Sequence, residues 1–341
     1  MKILSKPKGN AEEYGRWSVN PYIGCPHGCL YCYLKSGPSG GYLGQPKAVL
    51  MKGIVSEDHA YHLAMAEILE NREQIIRDGG LFMSFTSDPC IPETSTLFLS
   101  IARGAENYNI PVTLLTKSGI NTPFGHSFSD PTKEGRSLQW TLLSQLVLLK
   151  GEMTAIGFTL TGHDELEPNA APNSERMELM ERLSSWSNHV PNVKNVKIWA
   201  SIEPVIDFDS SFRMIQQALD AGCEHFKIGL MTKNTKVCRK GFTLGDKTFK
   251  PYDPARCLAF VQDVMQATRG RATVYWKQSF RKFIGGTEKH RLFSEDDLHR
   301  IFDDYPNAVG KDWSIFTPPV PPFSMLQQCC SPQTTNKETT I

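Results

Sequence analysis

Short apolar runs alternate with longer amphipathic stretches along most of this 341-residue chain, and that alternation restricts its fold more than any other feature. Strands are expected at Ser18–Gly24, Leu81–Phe85, Pro111–Thr116, Ala155–Thr161, Val196–Ile202 and His225–Leu230, with Ala272–Trp276 as a further one. Between and after them, helices are expected at Glu57–Arg77, Glu93–Glu106, Ser137–Leu149, Asn173–Trp186, Ser210–Ala221, Asp253–Thr268 and Glu295–Phe302. Repeated strand–helix units predict an α/β protein, a parallel sheet covered by helices. Six such units fit a partial (β/α)6 TIM-like barrel, with the active site at the C-terminal ends of its strands. A doubly wound sheet is the alternative.

The chain is long enough to bury a core without a disulfide scaffold. No run of 18 apolar residues is present, and Met1–Pro7 lacks the apolar stretch of a signal peptide. No membrane association and a cytoplasmic location are therefore expected. Residues 1–16 read as an N-terminal lead-in and 17–317 as the barrel with a C-terminal extension. The Pro/Gln/Ser/Thr-rich stretch 318–341 reads as a disordered tail. Nine cysteines in a reducing compartment favour metal or redox chemistry over disulfides.

Three of those thiols, Cys25, Cys29 and Cys32, fall in a Gly/Pro loop just after the first strand. Thiolates are the usual ligands of iron–sulfur clusters, and a cubane held by only three of them keeps one iron open to a small molecule. Gly24 and Gly28 permit the turns of such a wrap. A structural zinc on the three thiols and His27 is the competing reading, although no second CxxC pair lies elsewhere. Cys223, Cys238 and Cys257 are widely spread, with an auxiliary cluster built from them as an alternative, and Cys329 and Cys330 sit in the tail without partners at metal-site spacing.

The CxxxCxxC spacing, with Tyr31 just before the last cysteine, resembles the radical S-adenosylmethionine (SAM) superfamily. Asn20–Tyr33, Ser84–Asp88, Leu115–Lys117, Phe158–Thr161 and Glu167–Pro172 followed by Arg176 are similar to its spore photoproduct lyase-like branch. The resemblance implies a 4Fe–4S cluster on Cys25, Cys29 and Cys32, with SAM bound to the open iron. Tyr31 would lie near the adenine, Tyr33 would border the pocket, Ser87 would meet the methionine amine and Lys117 its carboxylate. Thr159 takes the place of a small hydroxyl residue, and Asp88 is carried as a contact of the same pocket. Ser87 and Asp88 have a plainer reading as helix cap and turn formers. Glu203, at the end of the fifth strand, suits ribose hydroxyls, substrate or a strand-end ion pair. The lyase's hydrogen-donating cysteine is replaced here by Phe85, which leaves Cys90 as the candidate donor. An electron donor such as flavodoxin or ferredoxin would be the implied partner.

A net charge of +1 hides an asymmetry. Residues 226–287 carry 13 Lys or Arg against three acidic residues, so the rest of the chain is net acidic. Within Arg269–Lys282, the cations alternate with Tyr275, Trp276 and Phe280, a composition suited to nucleic acid. A solvated basic face with buried aromatics has the same composition. Two further readings remain: a nucleic-acid-binding protein with a structural zinc or iron–sulfur site, and radical modification of a protein or small metabolite.

Overall fold

The computed structural model describes residues 2–35, 39–123, 128–129, 137–138, 142–187, 196–231, 241–287, 290–291, 293–310 and 314–316. Eight strands form one sheet in chain order: β1 Leu4–Ser5, β2 Ser18–Val19, β3 Leu81–Met83, β4 Val112–Thr116, β5 Thr154–Thr159, β6 Lys197–Val205, β7 His225–Leu230 and β8 Thr273–Trp276. The seven strands from β2 to β8 are parallel, and only β1 is antiparallel to its neighbour. Helices α1 Glu57–Glu70, α2 Arg72–Arg77 and α3 Ser95–Asn107 precede α4 Leu142–Leu146, α5 Asn173–Ser187, α6 Phe208–Asp220, α7 Pro254–Thr268, α8 Gln278–Gly285 and α9 Glu295–Phe302. Among the described residues no pairing joins β8 to β1, so the barrel is open. The expected partial (β/α)6 architecture is present, extended by one more parallel strand.

The period-2 alternation of strands sorts side chains into two layers. Val112, Leu114, Ile156, Phe158, Ile198, Ala200, Phe226, Ile228 and Val274 belong to the large core shared with the helices. A second cluster, Phe82, Ala155 and Trp199, joins β3, β5 and β6 with Tyr14 and Phe85 packed on it. Residues on strands three places apart meet there because the sheet curls around a lumen. Gly157 makes room for that packing: a Cβ would lie 2.1 Å from the Trp199 ring.

Several expected elements differ in extent. The strand Ser18–Gly24 is cut at Pro21, which has no N–H for a ladder. Tyr22–Ile23 pairs instead with Val49–Leu50. The helix Glu57–Arg77 is two, because the Asn71 amide donates to the Glu67 carbonyl at 2.8 Å and ends the first. Ser137–Leu138 pairs with Phe128–Ser129, and among the described residues of the expected Ser137–Leu149 helix Leu142–Leu146 are helical. The polar stretch 231–250 contains a hairpin, Phe242–Leu244 with Lys247–Phe249. The lead-in is part of the fold, since Leu4–Ser5 extends the sheet and Glu13 and Tyr14 enter the lumen. The tail and Cys238, Cys329 and Cys330 lie outside the described residues.

The basic, aromatic stretch Arg269–Lys282 is largely folded into the barrel wall. Tyr275, Trp276 and Phe280 are buried in β8 and α8, where Trp276 packs edge-on against Phe280 with centroids 5.0 Å apart. Those rings cannot stack on bases in this fold. Lys277 is buried too, and Arg271 and Arg281 pair with Asp220 and Asp303. No helix among the described residues is long and apolar enough to cross a membrane.

One charged cluster ties the loop after β5 to the start of α6. The His163 Nε2 lies 2.5 Å from Asp207 and its Nδ1 3.0 Å from Glu165, which also pairs with Lys247 of the hairpin at 2.9 Å. The Asp207 hydrogen bond, working against burial, raises the His163 pKa with help from Glu165. Burial opposes the lowering of both carboxylates, but hydrogen bonds from Lys247 and His163 bring Glu165 down to about 2, and those from His163 and Ser210 lower Asp207. A raised histidine contributes stability below its unfolded pKa and loses it as pH rises through the folded value, whereas lowered carboxylates contribute above theirs. The gap in melting temperature between the wild type and His163→Gln is therefore expected to be widest near about pH 5–6 and to shrink as pH rises above the ordinary histidine range. A gap that grows with pH in thermal melts would overturn this assignment.

Candidate active site

The cysteine loop leaves β2 and closes over the C-terminal ends of the strands. Its two glycines are required by space as well as by dihedral angle. Gly24 has φ 84°, and a Cβ there would lie 2.2 Å from the Lys47 carbonyl oxygen. Gly28 has φ 73° and sits against Pro168 and Asn169. The Cys25 N–H donates to the Gln45 carbonyl at 3.0 Å, and the Leu30 N–H to the Leu166 carbonyl at 2.9 Å. The loop is thus held from both sides before any ligand binds.

Cys25, Cys29 and Cys32 line a cavity of about 480 Å³. Tyr31, Tyr33, Ser87, Lys117, Thr159 and Glu203 border the same space, so the residues expected from sequence meet in one place. Burial pushes the Cys25 thiol up to about 12, with the Asp88 charge adding to it, and burial also raises Cys29 despite the nearby Lys117. Thiols in that state release protons when a metal takes them, so loading depends on pH.

Ser84, at φ 69°, turns the chain sharply after β3, and its hydroxyl accepts the N–H groups of Thr86 and Ser87 at 3.2 Å each. That turn leaves the buried Ser87 hydroxyl without a partner among the described residues. Lys117 sits at the end of β4 with its ammonium 5.7 Å from the Tyr31 ring centroid. Burial lowers its pKa, but the Cys29 sulfur and Glu167 raise it further, and the net shift is upward. No carboxylate among the described residues forms an ion pair with it. An unsatisfied hydroxyl and a cation lacking an anion therefore share the cavity with three thiols.

A buried chain of contacts fixes the far wall. The Tyr31 hydroxyl donates to Glu167, which pairs with Arg176 at 2.5 Å, both side chains being fully buried. Arg176 also donates to the Thr159 carbonyl at 2.7 Å. Glu167 and Arg176 stood in the matched segments without assigned roles; sequence offers no sign that they meet. Across the cavity, Glu203 is held by the Lys277 ammonium at 2.5 Å and by the Tyr14 hydroxyl, which supports the strand-end ion pair. Tyr14 and Lys277 were not singled out for the site by sequence.

Three expectations are refined. Asp88 borders the cavity as expected, but its oxygens are already engaged: they accept from Thr116 at 2.7 Å and from the N–H groups of Lys117 and Cys90 at 2.8 Å each, and face His27 at 2.8 Å. Burial would raise this carboxyl, yet the His27 and backbone hydrogen bonds lower it. Asp88 positions the loop and the end of β4. His27, with Nε2 on Asp88 and Nδ1 3.5 Å from the Asn169 carbonyl, has no nitrogen left for a zinc ion. Cys90 is fully buried in the main core and does not border the cavity, so it cannot serve as the donor there. Phe85 does border it, stacked on Phe82 with centroids 4.5 Å apart.

Among the described residues, no three His, Cys, Asp or Glu side chains converge on one ion-sized point. A single zinc requires that convergence, whereas in a multi-iron cluster the thiolates sit on different irons. No family model matches the chain, and no curated protein matches it. Among solved structures, the chain is similar to the crystal structure of Streptococcus suis SuiB bound to S-adenosylmethionine. That likeness has a TM-score of 0.46 at 13% identity and covers 82% of this chain and 53% of that one, so the chain spans about half that protein's length.

Proposed function

We propose that this protein is a radical SAM enzyme, with Cys25, Cys29 and Cys32 holding a 4Fe–4S cluster and SAM bound beside it. The observation that carries the reading is the gathering of three thiols, a cation that makes no ion pair and an unpartnered hydroxyl in one cavity. A zwitterionic amino-acid headgroup needs that set: a cation for its carboxylate and a hydroxyl for its polar groups. When bound, the cluster supplies the electron that splits SAM into methionine and a 5′-deoxyadenosyl radical, which takes hydrogen from a substrate. The residues of this chain then have separate tasks. Lys117 and Ser87 orient the headgroup. Tyr31, braced by Glu167 and Arg176, walls the pocket and keeps water out.

The resemblance to the photoproduct lyase-like branch supports placement near it. Phe85 and the buried Cys90 set the chemistry apart from that lyase, because neither puts a thiol hydrogen donor in the cavity.

The test is anaerobic iron–sulfide reconstitution, dithionite reduction and assay of 5′-deoxyadenosine formed from added SAM. Wild-type protein is expected to bind iron and sulfide and to form the product. Cys25→Ala, Cys29→Ala and Cys32→Ala are each expected to lose it by at least about a hundredfold, since each removes a cluster ligand. Protein that holds zinc and ignores SAM, or product formation that survives all three substitutions, overturns the reading.

A further inference from the structure

We propose that Asn169 is a positioning residue for the cluster, because the segment His163–Asn169 acts as a splint behind the cysteine loop and sets how slowly that loop lets iron go. The inference rests on the radical SAM reading of the cavity, and it concerns residues that this reading leaves without a task.

The loop needs support from outside. From Cys25 to Cys32 the chain forms neither helix nor strand, and Pro26 has no N–H to donate. Thiolates that sit on different irons must keep their mutual spacing. A segment without regular structure opens locally at low cost unless its backbone is tied elsewhere.

The splint supplies those ties one after another. The Asn169 side-chain amide donates to the Pro26 carbonyl at 2.9 Å, and its backbone N–H donates to the His27 carbonyl at 3.1 Å. A Cβ on Gly28 would lie 3.2 Å from the same amide nitrogen. The Leu166 carbonyl accepts the Leu30 N–H at 2.9 Å, and Glu167 accepts the Tyr31 hydroxyl. Every residue from Pro26 to Tyr31 except Cys29 is therefore met by the splint. Asn169 itself is exposed and does not border the cavity, so it reaches a cluster only through the loop.

A splint works only if its far side is fixed. Asp164 accepts the Asn173 N–H at the start of α5 at 2.7 Å. His163 lies on Asp207, which caps α6 by accepting the Ser210 N–H at 2.8 Å. Glu165 pairs with Lys247 of the Phe242–Phe249 hairpin. That hairpin also touches the loop directly. Gly245 at its turn has φ 63°, and a Cβ there would lie 2.8 Å from the Leu30 Cδ1. Leu30, between two residues of the cysteine motif, is thus held by its backbone from the splint and by its side chain from the hairpin. Lys247 is the outer clamp of the same support.

The experiment mixes reconstituted protein with an excess of a ferrous chelator under anaerobic conditions and follows iron release by absorbance. Asn169→Ala should release iron about fivefold faster than wild type, the scale of one lost hydrogen bond. Lys247→Met should release it about twofold faster, because an exposed ion pair contributes little, and Lys247→Arg should match wild type. Asn169→Ala/Lys247→Met should reach about tenfold. Arg256→Met is the control, since it breaks an exposed ion pair with Asp209 outside the splint and the hairpin, and it should match wild type. Without iron, the double variant should melt within about 4 °C of wild type. An acceleration below about threefold in the double variant overturns the splint. So does an equal acceleration in Arg256→Met, or a larger drop in melting temperature, since either would make the effect one of the whole fold. Wild type that takes up neither iron nor sulfide instead overturns the reading of the cavity, and the role of Asn169 falls with it.

Discussion

Arg176→Met is expected to destabilise the folded protein by about 3–5 kcal/mol, the usual cost of leaving a buried charge without its partner. The site has no means of softening the loss. Arg176 and Glu167 are fully buried, and the substitution also strips a donor from the Thr159 carbonyl. Out of a total stability of about 5–15 kcal/mol, that is a fifth or more. Glu167→Leu/Arg176→Met removes both charges and should recover much of the deficit, because apolar replacement of a whole buried pair is often close to neutral. It does not restore a partner for the Tyr31 hydroxyl, so SAM binding should stay weak while the fold recovers. Urea unfolding of the three proteins checks the first part and a SAM titration the second. A cost below about 1 kcal/mol for the single variant would show that water reaches the pair and that it does not brace the wall.

That pair also marks the limit of what the sequence discloses. The outward faces of β4 to β7 are legible because Val112, Leu114, Ile156, Phe158, Ile198 and Phe226 recur at the strand period and face helices. The inward faces are not. Ser201, Glu203, Lys227 and Lys277 look like surface residues until the sheet curls and gives each a partner. Lys277 reads as part of a cationic stretch, yet its partners Glu203 and Glu13 come from β6 and from the N-terminal segment. Nothing periodic in residues 9–16 says that Tyr14 enters the lumen. Charge composition is a property of the chain, whereas charge pairing is a property of the fold. The nucleic-acid reading of Arg269–Lys282 rested on the first, while the burial of its three rings and the pairing of Arg271, Lys277 and Arg281 belong to the second.

The site was more legible than its supports. Cys25, Cys29 and Cys32 lie within eight residues, so their convergence on one cavity needs only a local loop. Ser87, Lys117, Thr159 and Glu203 each close a strand or follow one, and barrel geometry gathers strand ends on one face. Asp88 stands next to Ser87 and borders the same cavity yet has a different task, because its oxygens are taken up by Thr116 and His27 while the Ser87 hydroxyl stays open. Cys90, a little further on, faces the core. Neighbours in sequence diverge here within four residues, and only the backbone path decides which of them meets a ligand.

Lys117→Met separates the cost of building such a site from its use. Burial of the ammonium is offset by Cys29 and Glu167, which raise its pKa, but no carboxylate makes an ion pair with it, so a thioether of similar length should replace it in the empty protein at small cost. The variant's stability without ligand should therefore lie within about 1 kcal/mol of the wild type's. SAM binding should change far more. Losing one partner of a buried charge-assisted contact costs about 2–5 kcal/mol, and about 3 kcal/mol corresponds to an affinity lower by about a hundredfold. Lys117→Arg retains the charge but changes its shape, so it should fall between the two. Equilibrium dialysis of SAM against the reconstituted proteins measures the affinities, and melts without SAM measure the stabilities. Affinity within about threefold of wild type would remove Lys117 from the headgroup site. A large loss of stability without ligand would mean that the ammonium serves the fold, and Ser87 alone would then remain as the polar group awaiting SAM.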